Sequence, residues 1–405
     1  MQEMISLEEA QEVVLSKVHQ LPAEKADLLD AWQRVLAEDV CSKVNLPPFN
    51  RSPLDGYALR AADTQNATQS TPAELIVTEE VPAGYVAMGE LISGTAVKIM
   101  TGAPIPRGAD AVIRFEDTKE EMFKVKIFNP LKSGDNISRA GEDVTKGELI
   151  LTRGEVLTPA AIGMLAAIGQ GQVQVVRRPR VAILSTGDEL VDIGEPLPEG
   201  KIRNSNLYLI AAAVKAAGGE PVLLGIVPDR LAETSVKFHE ALAAADLVIS
   251  TGGVSVGDYD MVHDALKQVG AKILFWKVAV KPGTPVVAAK SKGKLIFGLS
   301  GNPAGASIIF EVLVKPVIRK LVGERRVLPG KALAHLDDEF SKRSGMRRLL
   351  RGRVYRQGEV LRVTLTGKQN PGVLKSLLNC NALIDVPAGS DALGPGKQVA
   401  VLLMD

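Results

Sequence analysis

Between residues 180 and 323, apolar runs of five or six residues alternate with amphipathic segments of ten to fifteen, and few folds accommodate that rhythm. The apolar runs are 181–185, 222–227, 247–250, 273–280 and 295–299; the amphipathic segments are 206–217, 231–244, 261–269 and 304–321. Strands that are apolar on both faces must be covered on both faces, and strand-helix alternation supplies the cover. The pattern predicts a doubly wound α/β domain with a parallel-rich sheet.

The flanks read differently. Ser6 and Glu9 have the form of a capping box, and Leu7, Ala10, Val14, Val18 and Leu21 recur at helical spacing, so a helix is expected to open the chain and end near Pro22. From residue 44 to 144 short β-branched runs are broken by Gly and Pro, which predicts a β-rich domain. Thr158 and Pro159 introduce an apolar helix over 156–168, and Arg177, Arg178 and Pro179 read as a linker. After Pro329, strand-like runs separated by turns at Gly345, Gly358, Gly367, Pro371 and Pro395 predict a small C-terminal β-barrel-like domain. The expected division is an N-terminal helical/β domain of 1–45 with 140–178, an inserted β-rich domain of 46–139, the α/β domain of 179–326 and the C-terminal β domain of 327–405.

Composition narrows the function. The 405 residues carry 48 Lys and Arg against 47 Asp and Glu, so no overall charge draws the chain to nucleic acid or to an anionic membrane. Nine Phe, five Tyr and two Trp leave few rings for base stacking. Cys41 and Cys380 are far apart and near no histidine cluster, which argues against a structural zinc site and a secreted disulfide framework. With no apolar leader and no stretch near the ~20 residues that span a bilayer, a cytoplasmic location is expected.

In an open parallel sheet ligands bind beyond the C-terminal ends of the strands. Here the first strand runs into Asp188 and Glu189, the second into Asp229, and the third into Thr251, Gly252, Gly253, Ser255, Gly257, Asp258 and Asp260. Lys277 and Lys281 fall on one face of the next run, about 13 Å apart in extended chain. The last exit reads Ser300, Gly301, Asn302, Pro303 before a helix. Acids able to hold magnesium, lysines and bare amides on one rim suit a phosphoric anhydride. Taken singly, Asp188, Asp229 or Asp258 could equally be helix N-caps. The glycine loop is no P-loop, because Asp258 and Tyr259 stand where Lys and Ser or Thr are needed, and it lacks the dinucleotide fingerprint.

Outside this domain, the loop from Pro47 to Tyr57 with Asp55-Gly56, and the stretch Thr101-Gly102, read either as function-bearing loops or as ordinary turns. Eight Lys or Arg against three acids between residues 331 and 356 form either an anion-binding wall or a solvated face, with Arg347, Arg351 and Arg353 on one side of a strand. The four histidines are isolated in sequence.

Seven motifs in order, Leu54-Asp55-Gly56-Tyr57-Ala58, Thr101-Gly102-Ala103-Pro104, Ala140-Gly141-Glu142-Asp143, Ser185 to Leu190, Thr251 to Asp260, Lys281-Pro282-Gly283 and Gly301-Asn302-Pro303, resemble the molybdopterin molybdenumtransferase family, which is also similar to the C-terminal domain of the animal scaffold gephyrin. The resemblance implies insertion of molybdate into adenylated molybdopterin, with magnesium-dependent hydrolysis of the adenylate and release of AMP. It implies a homodimer of four-domain chains, with transient contacts to the adenylyltransferase and to apo-molybdoenzymes. By the same resemblance Glu189 and Asp229 hold the metal at the pyrophosphate, with Asp188 and Asp260 nearby, and Lys277 and Lys281 bind phosphate or molybdate. Asp55, Thr101 and Asp143 would reach the site from the opposing subunit. Arg347, Arg348 and Arg351 are its anion-binding candidates in the last domain, with Ser376 near them. The alternatives are an adenylyltransferase or related pyrophosphatase built on the same central domain, and a non-catalytic molybdopterin-binding scaffold.

Overall fold

The computed structural model describes residues 4–254, 261–343 and 345–404. Its largest core is built on a six-stranded sheet in the order Glu220–Val227, Arg180–Thr186, Leu247–Thr251, Lys294–Leu299, Pro285–Ser291, Lys272–Lys277. The first four strands are parallel, Pro285–Ser291 runs against them, and Lys272–Lys277, antiparallel to that strand, runs with the first four. Successive side chains of a strand face opposite ways. Val181 and Ile183 accordingly pack with the helix Ser205–Ala216 and the helical segment from Pro303, whereas Ala182 and Leu184 pack with the helices Leu231–Ala244 and Met261–Gln268. Helices thus cover both faces.

Two expectations need correction here. The run 273–280 is not one strand: Lys272–Lys277 is the edge of the sheet, paired antiparallel to Pro285–Ser291, and Val280–Lys281 leaves it to pair elsewhere. The strand Pro285–Ser291 has no counterpart in the sequence reading. A two-residue turn at Lys292 and Gly293, both at positive φ, folds it back on Lys294–Leu299. The Lys-Gly pair after the Val286–Ala289 apolar run was the available signal.

At the N-terminus the capping box forms, with Ser6 Oγ accepting from Glu9 N and Glu9 accepting from Ser6 N. The helix spans Leu7–Leu15 and stops short of Pro22. Ser16 Oγ turns back to donate to the Val13 carbonyl, and Leu21 N donates to Leu321 O, so Val18 and Leu21 join the same core from outside the helix. Thr158 caps Pro159–Ala167 as its sequence predicts. Arg177, read as part of a linker, is instead clamped: both guanidinium ends donate to Asp246, at 2.8 and 3.0 Å.

A second six-stranded sheet runs Ala111–Arg114, Gly56–Leu59, Thr95–Ile99, Ala73–Val81, Lys124–Ile127, Thr118–Glu121. Asp55-Gly56 is therefore no turn. Gly56 starts a strand so tightly held that an added Cβ would lie 1.9 Å from Ile113 O.

Toward the C-terminus Arg347–Gln357, Val360–Leu365, Lys331–Leu336, Gln398–Leu403 and Ala382–Val386 close into a five-stranded barrel, the last strand pairing back on the first. Along its first strand Leu349 belongs to the core of the central sheet and Leu350 to that of the barrel, so Arg347 and Arg351, on the Leu349 face, point into the junction. Val280–Lys281 adds in parallel beside Arg347 and Arg348. Arg347 grips Asp385 through Nε and Nη2, at 2.7 and 2.6 Å, and Glu8 of the N-terminal helix through Nη1 at 2.6 Å. Arg347 and Asp385 keep only 19% and 14% of their side-chain surface exposed, so the pair is little screened.

Replacing Arg347 by Met leaves Asp385 ionised, half enclosed and unpaired, and is expected to cost about 2–3 kcal/mol of stability. Burial pushes Glu8 upward, but the hydrogen bond and charge of Arg347 outweigh it and hold the carboxyl below its ordinary value. Stability from this contact is therefore present above the unfolded value and lost as pH falls through the lowered one. Thermal unfolding against pH checks both points: the variant should melt lower at neutral pH and show a shallower acid decline, and a melting temperature within about 1 °C of wild type would refute the clamp.

Candidate active site at the strand ends

The first and third strands leave the central sheet side by side, and their exits touch. Gly252 and Gly253 both have positive φ, and a Cβ on Gly252 would sit 2.3 Å from the Thr186 carbonyl oxygen. On Gly253 it would sit 2.7 Å from Val262 and 2.8 Å from Thr186 Oγ1. Only glycine allows this approach. Behind it Ser185 Oγ donates to Asn204 Oδ1 at 3.0 Å and lies 2.9 Å from Thr251 Oγ1, while Asn204 Oδ1 caps the helix by accepting from Leu207 N.

On the outer side of that crossing lie the acids. Gly187, at φ 150°, lets the Glu189 carboxylate fold back over the backbone, where a Cβ would meet Glu189 Oε2 at 2.4 Å. Asp229 N donates to Asp188 Oδ1 at 3.2 Å, which brings the first and second exits together. Burial raises the Asp229 carboxyl above its ordinary value, and the charges of Asp188 and Glu189 add to the rise. The backbone hydrogen bond to Asp188 only partly opposes them. Burial and like charge thus both disfavour the ionised form of Asp229, although Lys201 Nζ stands close by as a donor to the Asp188 carbonyl.

On the inner side a cleft of about 240 Å³ opens, lined by Thr186, Glu189, Asn204, Asn206, Thr251, Gly252, Gly301, Pro303 and, from the barrel, Gly372 and Leu374. Asn206 Nδ2 donates to Gly301 O at 2.7 Å, which fixes the turn before Pro303. Ser300 Oγ accepts from Asn302 N at 3.2 Å. Thr186 Oγ1, Asn204 Nδ2 and Asn206 Oδ1 are buried without a partner, so donors and an acceptor are both left over at this cleft. Buried polar atoms are nearly always paired, and such a cluster marks a place built for a ligand or water.

A second cleft, of about 420 Å³, lies where the barrel meets the sheet and is lined by Lys281, Thr284, Ser300, Asn302, Lys342, Arg348, Gln369 and Asn370 among others. The segment that divides the clefts is held at Pro371, whose carbonyl accepts from Ala304 N at 3.1 Å. Behind it Arg351 is fully buried. Its Nε donates to Ser376 Oγ at 2.8 Å and its Nη2 to the carbonyls of Lys368 and Asn370, whereas Nη1 has no partner. Burial holds this guanidinium below the ordinary arginine value. Among the described residues no carboxylate pairs with it, so it is a buried cation held by neutral dipoles, an arrangement an anion would complete.

The structure thus brings Asp188, Glu189 and Asp229 together, gathers Thr251, Gly252, Gly301 and Pro303 around one cleft with Gly253 packed behind on Thr186 and Val262, and sets Lys281, Ser300 and Asn302 on the other, beside the Arg351–Ser376 pair. Ser255, Gly257, Asp258 and Asp260 lie outside the described residues. Arg347 is spent on Asp385 and Glu8 and is a structural clamp, not a free anion ligand. Lys277, half-buried on the edge strand, lines neither cleft, because the break at 278–279 parts it from Lys281. Arg353, expected beside Arg351, is exposed where the strand runs past the junction. Asp55 does meet Thr101, accepting from its N at 2.6 Å and its Oγ1 at 2.8 Å, and these bonds hold the carboxyl below its ordinary value. Asp143 is exposed, its N donating to Leu46 O. The backbone bonds of these loops stay within the N-terminal region, Phe115 N to Asp55 O, Gly102 N to Ser52 O and Asp143 N to Leu46 O, and do not reach the strand ends. Sequence reasoning missed Asn204, Asn206 and Lys342, whereas Arg348, kept as an anion-binding candidate beside Arg347 and Arg351, does line the cationic cleft. Asn204-Ser205-Asn206 just before an apolar helical repeat was a legible cap, but nothing in it told that the second Asn would reach Gly301.

Comparison with known proteins agrees with this layout. Residues 5–169 match the family described as MoeA N-terminal region (domain I and II), residues 182–320 the probable molybdopterin binding domain, and residues 334–404 the MoeA C-terminal region (domain IV). A molybdopterin molybdenumtransferase of Bacillus subtilis (strain 168) is 40% identical over 381 residues, covering 93% of this chain and 89% of its own. One from Staphylococcus aureus (strain MRSA252) is 36% identical over 401 residues, covering 99% and 96%. The crystal structure of a molybdopterin biosynthesis moeA protein from Pyrococcus horikoshii OT3 superposes with a TM-score of 0.84 at 35% identity, over 99% of this chain and 100% of its own. With the same order of matched regions, the same closed barrel and near-complete coverage, this chain belongs to the molybdopterin molybdenumtransferase family.

Proposed function

We propose that the chain inserts molybdate into adenylated molybdopterin, hydrolysing the adenylate and releasing AMP, as a molybdopterin molybdenumtransferase of molybdenum cofactor biosynthesis. The observation that carries this reading is the buried Arg351, with a free Nη1, beside a cationic cleft that shares a wall with a polar one lined by Glu189 and Arg203 as well as neutral groups. A tetrahedral oxyanion suits the first, and an anhydride-linked heterocycle suits the second together with the acids.

Three neighbouring carboxylates, whose like charges add to the rise at Asp229, fit a divalent cation. Among the described residues no three acid, His or Cys groups close around a single point, and magnesium typically takes one or two carboxylates with substrate phosphates completing its shell. Glu189 and Asp229 would hold it, with Asp188 adjoining. Bound there, magnesium would withdraw charge from the bridging phosphate. Gly252 and Gly253 let the chain approach the phosphates without a side chain in the way, and Asn204 and Asn206 orient the ring system. Lys281, Arg348 and Arg351 stabilise molybdate and the charge that develops on phosphoryl oxygen. A water oxygen, or a molybdate oxygen whose bond to phosphorus water then cleaves, bonds to phosphorus as the bridging P–O bond breaks, AMP leaves with the bridging oxygen, and the proton of the water passes to solvent.

Asp55 with Thr101, and Asp143, enter this reading from a second copy of the chain in a homodimer. A hydrogen-bonded, ionised Asp55 at an exposed loop is suited to face substrate across such a boundary.

AMP release from adenylated molybdopterin, followed with and without molybdate and magnesium, tests the activity. Asp229→Asn should lower turnover at least about 100-fold with the fold intact, and turnover within about threefold of wild type would overturn the assignment. Because the folded Asp229 is raised, the metal-free protein should lose stability as pH rises through that value. Magnesium should therefore raise the melting temperature above it and not below, and Asp229→Asn should abolish the increment. Arg351→Lys should weaken molybdate with little change in binding of the adenylate, since a single ammonium cannot reproduce the fork. If the site is shared, mixing inactive Asp55→Asn with inactive Asp229→Asn subunits should restore about a quarter of the activity by random pairing, whereas no recovery would place both in one chain.

A further inference from the structure

The opposite end of the central sheet, where the strands begin, holds a cleft of about 390 Å³ that the proposed function leaves unused. Leu247 lies in its wall and starts the strand whose last residue, Thr251, lines the polar cleft, so the two openings stand about 13 Å apart along one strand. Val18, Leu21, Leu295, Val317 and Leu321 make its floor apolar, and its rim is basic.

The acid that lines it is already engaged. Asp246 accepts from Arg177 with both oxygens, at 2.8 and 3.0 Å, and from Arg180 N at 2.8 Å. Burial pushes this carboxyl upward, but the bonds from Arg177 and Arg180 N, helped by the charge of Lys294, hold it below its ordinary value. It therefore stays ionised beside its guanidinium, and Lys17, Lys290 and Lys294 are left over on the same rim. Lys290 Nζ donates to Lys17 O at 3.3 Å and Lys294 Nζ to Leu242 O at 2.7 Å, one donor used of the three that an ammonium carries. Among the described residues none of these lysines closes an ion pair. Like charges gathered on one rim repel one another, and a bound anion would turn that repulsion into attraction.

We infer that this cleft binds a phosphate monoester with an apolar body, the phosphate on the lysines of the rim and the body over Val18, Leu21 and Leu295. A phosphate monoester carries close to two negative charges at neutral pH, which matches the surplus of ammonium groups better than a carboxylate does. The volume lies in the range of small-molecule sites. A ligand here would also brace a joint. The segment 16–22 leads from the opening helix to the strand Ala23–Asp27, and it is latched by Leu21 N on Leu321 O at 2.8 Å and by Arg153 on Gln20 Oε1 at 2.7 Å.

Hydrogen exchange on the full chain, followed as phenyl phosphate or inorganic phosphate is titrated in, reads this cleft through the amides of 17–21, which line neither cleft at the other end of the sheet. Phenyl phosphate should slow their exchange at about tenfold lower concentration, the gain expected from taking roughly 60 Å² of ring surface out of water. Lys290→Met and Lys17→Glu should each raise the midpoint about tenfold, through loss of a charge-assisted bond and reversal of a charge. Unchanged thermal unfolding would show each variant folded. Lys17 is exposed, so it carries the test if Lys290→Met melts low. Equal midpoints for the two phosphates overturn the apolar seat. Unprotected amides at saturating phenyl phosphate, or a midpoint that the folded variants do not move, overturn the site.

Discussion

Arg351 carries a full charge into the junction between the barrel and the central sheet, where its partners are a hydroxyl and two carbonyls. Such a group is tolerable only if the surrounding backbone is held rigidly, and here the holding elements are those that shape the clefts. The loop that supplies the Lys368 and Asn370 carbonyls also supplies Pro371, which docks on the helix at Ala304, and Gly372, which lines the polar cleft. Removing the cation would free a loop that forms one wall of the polar cleft and one of the cationic one.

Charge is sorted along this junction. The acids gather at the outer strand exits and Lys281, Lys342 and Arg348 on the barrel side, with a cleft between them that holds Glu189 and Arg203 among neutral groups. Under the proposed function this sorting gives an anhydride and an oxyanion separate places across a shared wall.

Much of the scaffold was legible. The four parallel strands, the helices between them, the capping box and the Thr158 cap all follow from local pattern, because each is set by residues within a few positions of one another. The antiparallel strand Pro285–Ser291 was not legible as such, since its apolar run resembles the others and its direction depends on one turn at Lys292-Gly293. Of the site, the residues following each strand were found because a parallel sheet exposes its strand ends. Lys342 and Asn206 were not, since the one depends on where a separate barrel docks and the other on a contact with Gly301, 95 positions away. Arg347 illustrates the converse. It has the residue type of an anion ligand and is consumed by Asp385 and by Glu8, some 340 positions away.

What the sequence determined by itself was the alternation of strand and helix, the acid-bearing and glycine-bearing exits, and the family. These are properties of local periodicity and of short motifs in order. Only the tertiary structure decided which arginine is buried with a free nitrogen, that Lys277 and Lys281 part company, and that the polar and cationic clefts share a wall. Those outcomes depend on the packing of the barrel against the sheet and on a strand that leaves one sheet for another. Each is a contact between segments far apart in the chain, and no local pattern encodes it.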